Sequence, residues 1–239
     1  MPYTLARAAS LLGLAAAVFA VGAACSRGDA APKSSGTASA PPASTAQASG
    51  GNVTESQDSI SAKADRGRIL GDSTAKVWLV MASDFQCPFC KEWHDSSFQP
   101  IVQKYVKTGR VRLAYLNMPL NIHQFAKPAA EAAMCASVQN KFWEMHDSLF
   151  ATQNIWERLQ DPSTFFDTLA NHNHVDMAAW RSCVSKHLTL PIIDADYDRA
   201  RTTGVISTPT FFVGSARLPG ADANVTGALD AALAAKAKQ

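Results

Sequence analysis

The sequence predicts an α/β fold, a small and partly parallel sheet interrupted by an inserted helical subdomain, and three observations carry that reading. A strand, a helix and a second strand follow one another over about 77–116, around two cysteines spaced two apart. From about 124 to 201 the apolar residues recur at helical intervals, with no good strand among them. Strand composition then returns over 204–218.

Val77-Trp78-Leu79-Val80-Met81-Ala82 is a nearly continuous apolar run, as in a strand buried on both faces. It leads through Asp84-Phe85-Gln86 into Cys87-Pro88-Phe89-Cys90. Beyond Cys90, the residues Trp93, Phe98, Ile101, Val102, Tyr105 and Val106 fall mostly three or four apart, the period of an amphipathic helix, which Pro100 is expected to kink. Gly109 ends that helix, and 111–116 alternates as the second strand of a parallel βαβ unit. Helical stretches are predicted over 129–138, over 142–150 with Phe142, His146, Leu149 and Phe150 on one face, and near Phe165 and Trp180. Thr210-Phe211-Phe212-Val213 reads as a strand, Gly214-Ser215 as a hairpin turn into Ala216-Arg217-Leu218, and 222–236 as a closing alanine-rich helix.

The chain has 239 residues, 47% hydrophobic and 18% charged, which fits one globular domain with non-globular additions. A net charge of +2, without a Lys/Arg block, excludes a field that would select nucleic acid or an anionic membrane surface. Residues 1–24 have the layout of an export signal: Arg7, an apolar run over 8–21, and Gly22-Ala23-Ala24. The apolar run is shorter than the roughly 18–20 residues of a membrane span, so removal is expected rather than retention as an anchor. Cys25 follows directly and heads a tract rich in Ala, Ser, Gly, Thr, Pro and Gln. That arrangement is similar to a bacterial lipoprotein, in which Cys25 would carry lipid; Gly22 stands where a larger aliphatic residue is usual, and the alternative is an ordinary cut that leaves Cys25 a stray thiol. Residues 25–64 are read as a disordered tether and 65–239 as the folded domain.

The remaining cysteines are Cys87, Cys90, Cys135 and Cys183, an even number in a chain expected to leave the reducing cytosol. Four cysteines allow three connectivities. The short spacing makes Cys87 and Cys90 partners by default and leaves Cys135 with Cys183, against the alternative of two buried thiols packed as small apolar groups. At a strand-to-helix junction the first cysteine meets unpaired N–H groups and a positive dipole end, which favour a thiolate. Cys87 is thus the candidate nucleophile and Cys90 the resolving thiol. A lone pair at this spacing also serves as half a zinc site, but no second such pair lies nearby and His94 would add only a third ligand. The six histidines show no metal-ligand spacing, so no metal and no cofactor is implied.

The strand, Asp84-Phe85-Gln86-Cys87-Pro88-Phe89-Cys90, the long helix, the helical insertion and Ser207-Thr208-Pro209-Thr210-Phe211 together resemble the DsbA-like branch of the thioredoxin superfamily. The resemblance spans essentially 65–239. It implies a thioredoxin-like sheet domain carrying a helical insertion at about 124–201. It also implies a cis Pro209 packed against the thiols, with Thr208, Pro209, Pro88 and Phe89 contacting substrate, and a second, non-catalytic disulfide between Cys135 and Cys183. Relatives often have an acidic residue in the strand before the motif, where this chain has Met81-Ala82-Ser83, so Asp84 becomes a candidate proton-transfer partner for Cys90, unless it faces solvent at the strand end.

The expected function is disulfide formation in extended or unfolded protein substrates that bear thiols. The enzyme is read as a periplasmic monomer, held at a membrane through Cys25 if lipidated, with a membrane redox partner to reoxidise it and no nucleic acid. The alternatives are a reductase or isomerase of the same fold, a copper- or metal-binding protein using Cys87, Cys90 and His94, and a secreted binding module in which the cysteines are only structural.

Overall fold

The computed structural model describes residues 56–238. The export signal, Cys25 and the tether up to residue 55 lie outside the described residues.

The frame is a five-stranded sheet in the order β1-β3-β2-β4-β5, formed by β1 (Ile69–Leu70), β2 (Val77–Ser83), β3 (Val111–Asn117), β4 (Thr210–Val213) and β5 (Ala216–Pro219). β2 and β3 run parallel, from Val77 opposite Val111 to Ser83 opposite Asn117. The other pairings are antiparallel, and β4 sets Phe211 opposite Met81 and Thr210 opposite Ala82. Side chains alternate across this sheet. Leu79, Met81, Leu113, Tyr115, Phe211 and Val213 enter the main core, whereas Val80, Ala82 and Leu116 meet Val205 and Ala200 in a smaller one. The apolar run of β2 is therefore continuous because both faces are covered.

The connection from β2 to β3 is a helical run made of α2 (Pro88–Trp93), a π turn (His94–Phe98), α3 (Gln99–Ile101) and a second π turn (Val102–Val106). Pro100 falls in the middle of this run, within the short α3, where it can donate no N–H, and the hydrogen-bond ladder loosens into π turns on either side. Gly109 then adopts φ 72°, the left-handed conformation glycine accepts without strain, and the chain turns into β3.

The insertion is α4 (Ala126–Ser137), α5 (Phe142–Ala151), α6 (Gln153–Trp156), α7 (Ser163–His172), α8 (Met177–Ser185) and α9 (Leu190–Thr202), close to the expected 124–201. α10 (Val225–Lys236) packs on β2 and β4. The disulfide Cys135–Cys183 joins α4 to α8.

One boundary needs correction. The fold begins before Asp65, with the helix α1 (Gln57–Gly67), whose N-terminus is capped by the Ser56 hydroxyl accepting from the Ser59 N–H. Only Ile60 and Ala64 of α1 are buried, and Ser137 Oγ donates to the Ala64 carbonyl at 2.6 Å. So sparse an apolar face is hard to tell from a polar linker by periodicity. Among the described residues no helix is long and apolar enough to cross a membrane.

Candidate active site

The site begins where β2 stops. Asp84 Oδ1 accepts from the Gln86 N–H at 2.8 Å and the Asp84 carbonyl from the Cys87 N–H at 3.1 Å, a side-chain-stabilised turn that delivers Cys87 to the N-cap of α2. Pro88 follows at the first helical position, where no N–H is needed. The Cys87 carbonyl then accepts from the N–H groups of Cys90 and Lys91, which sets Cys90 one turn along the helix. Both thiols are buried, 3% and 2% exposed.

The two thiols are unequal. A hydrogen bond from Cys90 is the largest influence on Cys87, and with help from Thr208 and the N–H groups of Cys90 and Phe89 it overcomes burial and lowers the pKa of Cys87 to about 6. Burial, followed by the hydrogen bond and charge of Cys87, pushes Cys90 well above the ordinary thiol range. Near neutral pH the first sulfur is thus a thiolate and the second keeps its proton.

The opposite wall is the loop before β4. The Thr208–Pro209 bond is cis, and the Thr208 carbonyl stands 3.4 Å from Cys87 Sγ, where it accepts from the sulfur only while that thiol is protonated. Phe89 and Ile206 stand beside the thiols in sequence and beside the proline loop, 60% and 80% exposed, and a cleft of about 470 Å³ is lined by Phe89, Glu92, Ser207, Thr208 and Asp222 among others.

The structure brings Cys87, Cys90, Thr208 and Pro209 together, with Pro88 and Phe89 on the exposed rim. Asp84 does not face solvent: it is 2% exposed, and Oδ2 accepts from the Leu120 N–H at 2.9 Å and faces His123 Nδ1 at 2.7 Å. Cys90 is approached instead by the Ser83 hydroxyl and the Asp84 backbone N–H. His94 is not at the thiols. It stacks on Phe98 and Phe150, and its two nitrogens face Asp95 and Asp147.

Two participants have no signature in the sequence. Gln153, on α6, donates from Nε2 to the carbonyls of Phe85 and Cys87 at 2.7 and 3.1 Å, so the helical subdomain grips the loop that carries Cys87. His123 is held by Asp84, which raises its pKa, and it shares an electrostatic interaction with Cys87. A nearby imidazolium favours the thiolate. His123→Gln is expected to move the midpoint of Cys87 alkylation by iodoacetamide upward from about 6. The shift should be roughly half a pH unit, the scale of one screened charge. An unchanged midpoint would mean that His123 only props the loop.

A family model described as thioredoxin matches residues 63–231, well over half of the chain. Disulfide bond formation protein D of Bacillus subtilis is 23% identical over 152 residues, 61% of this chain and 66% of that protein. A Na(+)/H(+) antiporter NhaA 3 of Salinispora tropica is 34% identical over 155 residues, 64% of this chain but 22% of the antiporter. The chain thus spans less than two thirds of the length of either relative. Among solved structures, oxidised BdbD from Bacillus subtilis superposes with a TM-score of 0.64 at 22% identity, over 71% of this chain and 94% of that one.

Proposed function

The chain belongs to the thioredoxin family, with the DsbA-like architecture of a sheet domain and helical insertion, and from that premise we propose that it forms disulfides in extended or unfolded protein substrates. In this reading Cys87 and Cys90 are the redox pair, and the protein works outside the reducing cytosol as a monomer. Cys25 provides a lipid anchor, and a membrane partner reoxidises the pair.

The observation that carries the proposal is the asymmetry of the two thiols. A substrate thiolate attacks Cys87 of the Cys87–Cys90 disulfide, and Cys90 leaves and takes up a proton, as its raised pKa favours. A second substrate thiolate then attacks the substrate sulfur of the mixed disulfide, and Cys87 departs as a stabilised thiolate. Two electrons have passed from substrate to enzyme. A good leaving group at Cys87 favours oxidation of substrate over its reduction. The exposed Phe89 and Ile206 offer apolar contacts to an unfolded segment, and the Thr208 backbone beside Cys87 is assigned to pair with its extended chain. Cys135–Cys183 is read as a structural bond, closing a 48-residue separation and stabilising by a few kcal/mol in the chain-entropy model.

The competing metal site of Cys87, Cys90 and His94 gains no support, because His94 is turned toward Asp95 and Asp147. Direction is tested by equilibrating the protein in glutathione buffers. The expected potential lies nearer the about −120 mV of a strong oxidant than the about −270 mV of thioredoxin, and a value near the latter would make the protein a reductase. A pH dependence follows. An acid whose pKa is lowered on folding, here from 9.0 to about 6, adds stability that is complete above the unfolded value and is lost as pH falls through the folded one. The reduced form should therefore gain on the oxidised form as pH rises from about 6 to 9. Urea midpoints of the two forms measure it.

A further inference from the structure

Asp147 follows His146 directly in sequence and lies 53 positions after His94, yet the fold brings His94 to the pair on one side of the redox helix. His94 is the first residue of the π turn after α2, and His146 and Asp147 lie on α5. One carboxylate oxygen, Asp147 Oδ1, faces both imidazoles: His146 Nδ1 at 2.8 Å and His94 Nε2 at 3.2 Å. The three donor atoms lie within 4.8 Å of one another.

We propose that these three side chains bind one divalent transition-metal ion of the zinc class, pinning the redox helix to the helical subdomain. Two imidazoles and a carboxylate are the ligand types such ions take, and ligand atoms about 2.0–2.1 Å from a tetrahedral zinc stand about 3.3 Å apart. The two spacings to Asp147 Oδ1 are close to that edge, and the remaining spacing, within 4.8 Å, closes by up to about 1.5 Å as the ion enters. His94 has the outer support typical of a metal-bound imidazole: its other nitrogen, Nδ1, faces Asp95 Oδ1 at 3.0 Å, and Asp95 is itself held by Lys91 Nζ at 2.9 Å. His146 is wholly buried, and its Nε2 has no hydrogen-bond partner. Its ring can therefore carry its proton on Nε2 when Nδ1 takes a cation, without breaking another contact. The His94 and Asp147 side chains remain open to solvent, 13% and 43% exposed, which leaves an entry path and room for water as the remaining ligand.

The test uses the full chain, oxidised and then treated with iodoacetamide so that no thiol can bind metal. Zn²⁺ titrated by calorimetry should bind at one equivalent and raise the melting temperature. His94→Gln and Asp147→Asn should each weaken that binding by about tenfold or more, and Asp95→Asn by less. Metal-free near-ultraviolet dichroism checks that each variant is folded. Cu²⁺ provides a reading that needs no substitution, because nitrogen superhyperfine splitting in its electron paramagnetic resonance spectrum counts the coordinated imidazoles. Two are expected here. The other histidine–carboxylate pairs, His123 with Asp84 and His187 with Glu131, offer one each. No saturable Zn²⁺ binding, binding that survives in His94→Gln and Asp147→Asn, or a count other than two would overturn the proposal, and each would leave the disulfide chemistry of Cys87 and Cys90 untouched.

Discussion

Replacing Cys87 with Ser is expected to reduce catalysed disulfide formation to the uncatalysed background, a loss of about 10³-fold or more, because a hydroxyl forms no mixed disulfide. The informative comparison is at Cys90. The Cys90 thiol is the largest contributor to the lowered pKa of Cys87, so Cys90→Ser, whose hydroxyl still donates, should keep Cys87 acidic. Cys90→Ala removes the donor and should raise the pKa of Cys87. Both variants lose turnover, and in both the attacking sulfur survives and has no partner to resolve it. Mixed disulfides between Cys87 and substrate should accumulate, visible as thiol-sensitive bands when reduced protein is mixed with an oxidised substrate. Oxidative refolding of a reduced model protein measures the turnover, and iodoacetamide rates against pH measure the acidity. If Cys87→Ser kept full activity, the pair would be only structural, as in the binding-module alternative.

The second large effect is expected far from the thiols. Asp196 on α9 is 1% exposed, and its carboxylate accepts from both Arg68 Nη atoms, from the Asn117 N–H at 3.2 Å and from Asn117 Nδ2 at 2.8 Å. It therefore ties the end of α1 and the end of β3 to the helix that covers the smaller core. Asp196→Ala leaves a buried guanidinium without its main partner and should destabilise the fold by about 3–5 kcal/mol in urea unfolding. Asp196→Leu combined with Arg68→Met removes both charges, and much of the loss should return, since well-packed apolar groups often replace a buried ion pair at little cost. A double variant as unstable as Asp196→Ala would show that the bonds to Asn117, rather than the ion pair, dominate.

The parts of this architecture that were legible in the sequence are those with a short-range cause. The βαβ unit shows itself because β2 is apolar along its whole length and the following helix repeats apolar residues three and four apart from Phe98 through Ile101 and Val102 to Tyr105. The paired cysteines declare themselves through spacing. Thr208 and Pro209 are a different matter, since nothing local sets them against Cys87, 121 positions away, and only the resemblance placed them there. His123 and Gln153 stayed hidden for the same reason without such help: each acts through one or two long-range hydrogen bonds, which leave no periodic trace. Helix α1 and the two-residue strand β1 were missed because they bury too little apolar surface to imprint a pattern. Asp84 shows the limit of composition as a guide to exposure. A carboxylate at a strand end reads as solvent-facing until the N–H groups of Gln86 and Leu120 are seen to converge on it.

The two π turns flanking α3 have a consequence for how this chain tolerates change in length. Each such turn is equivalent to one residue added to an ordinary helix, and an added residue advances everything beyond it by about 100° around the axis. The stretch from Pro88 to Val106 has in effect absorbed two single-residue insertions while still presenting Trp93, Phe98, Tyr105 and Val106 to the core. A homologue shorter by one residue here could convert a π turn back to an α turn and keep its cysteines in place. Alignments across this helix should therefore expect gaps at His94–Phe98 or Val102–Val106 rather than in the loops at its ends.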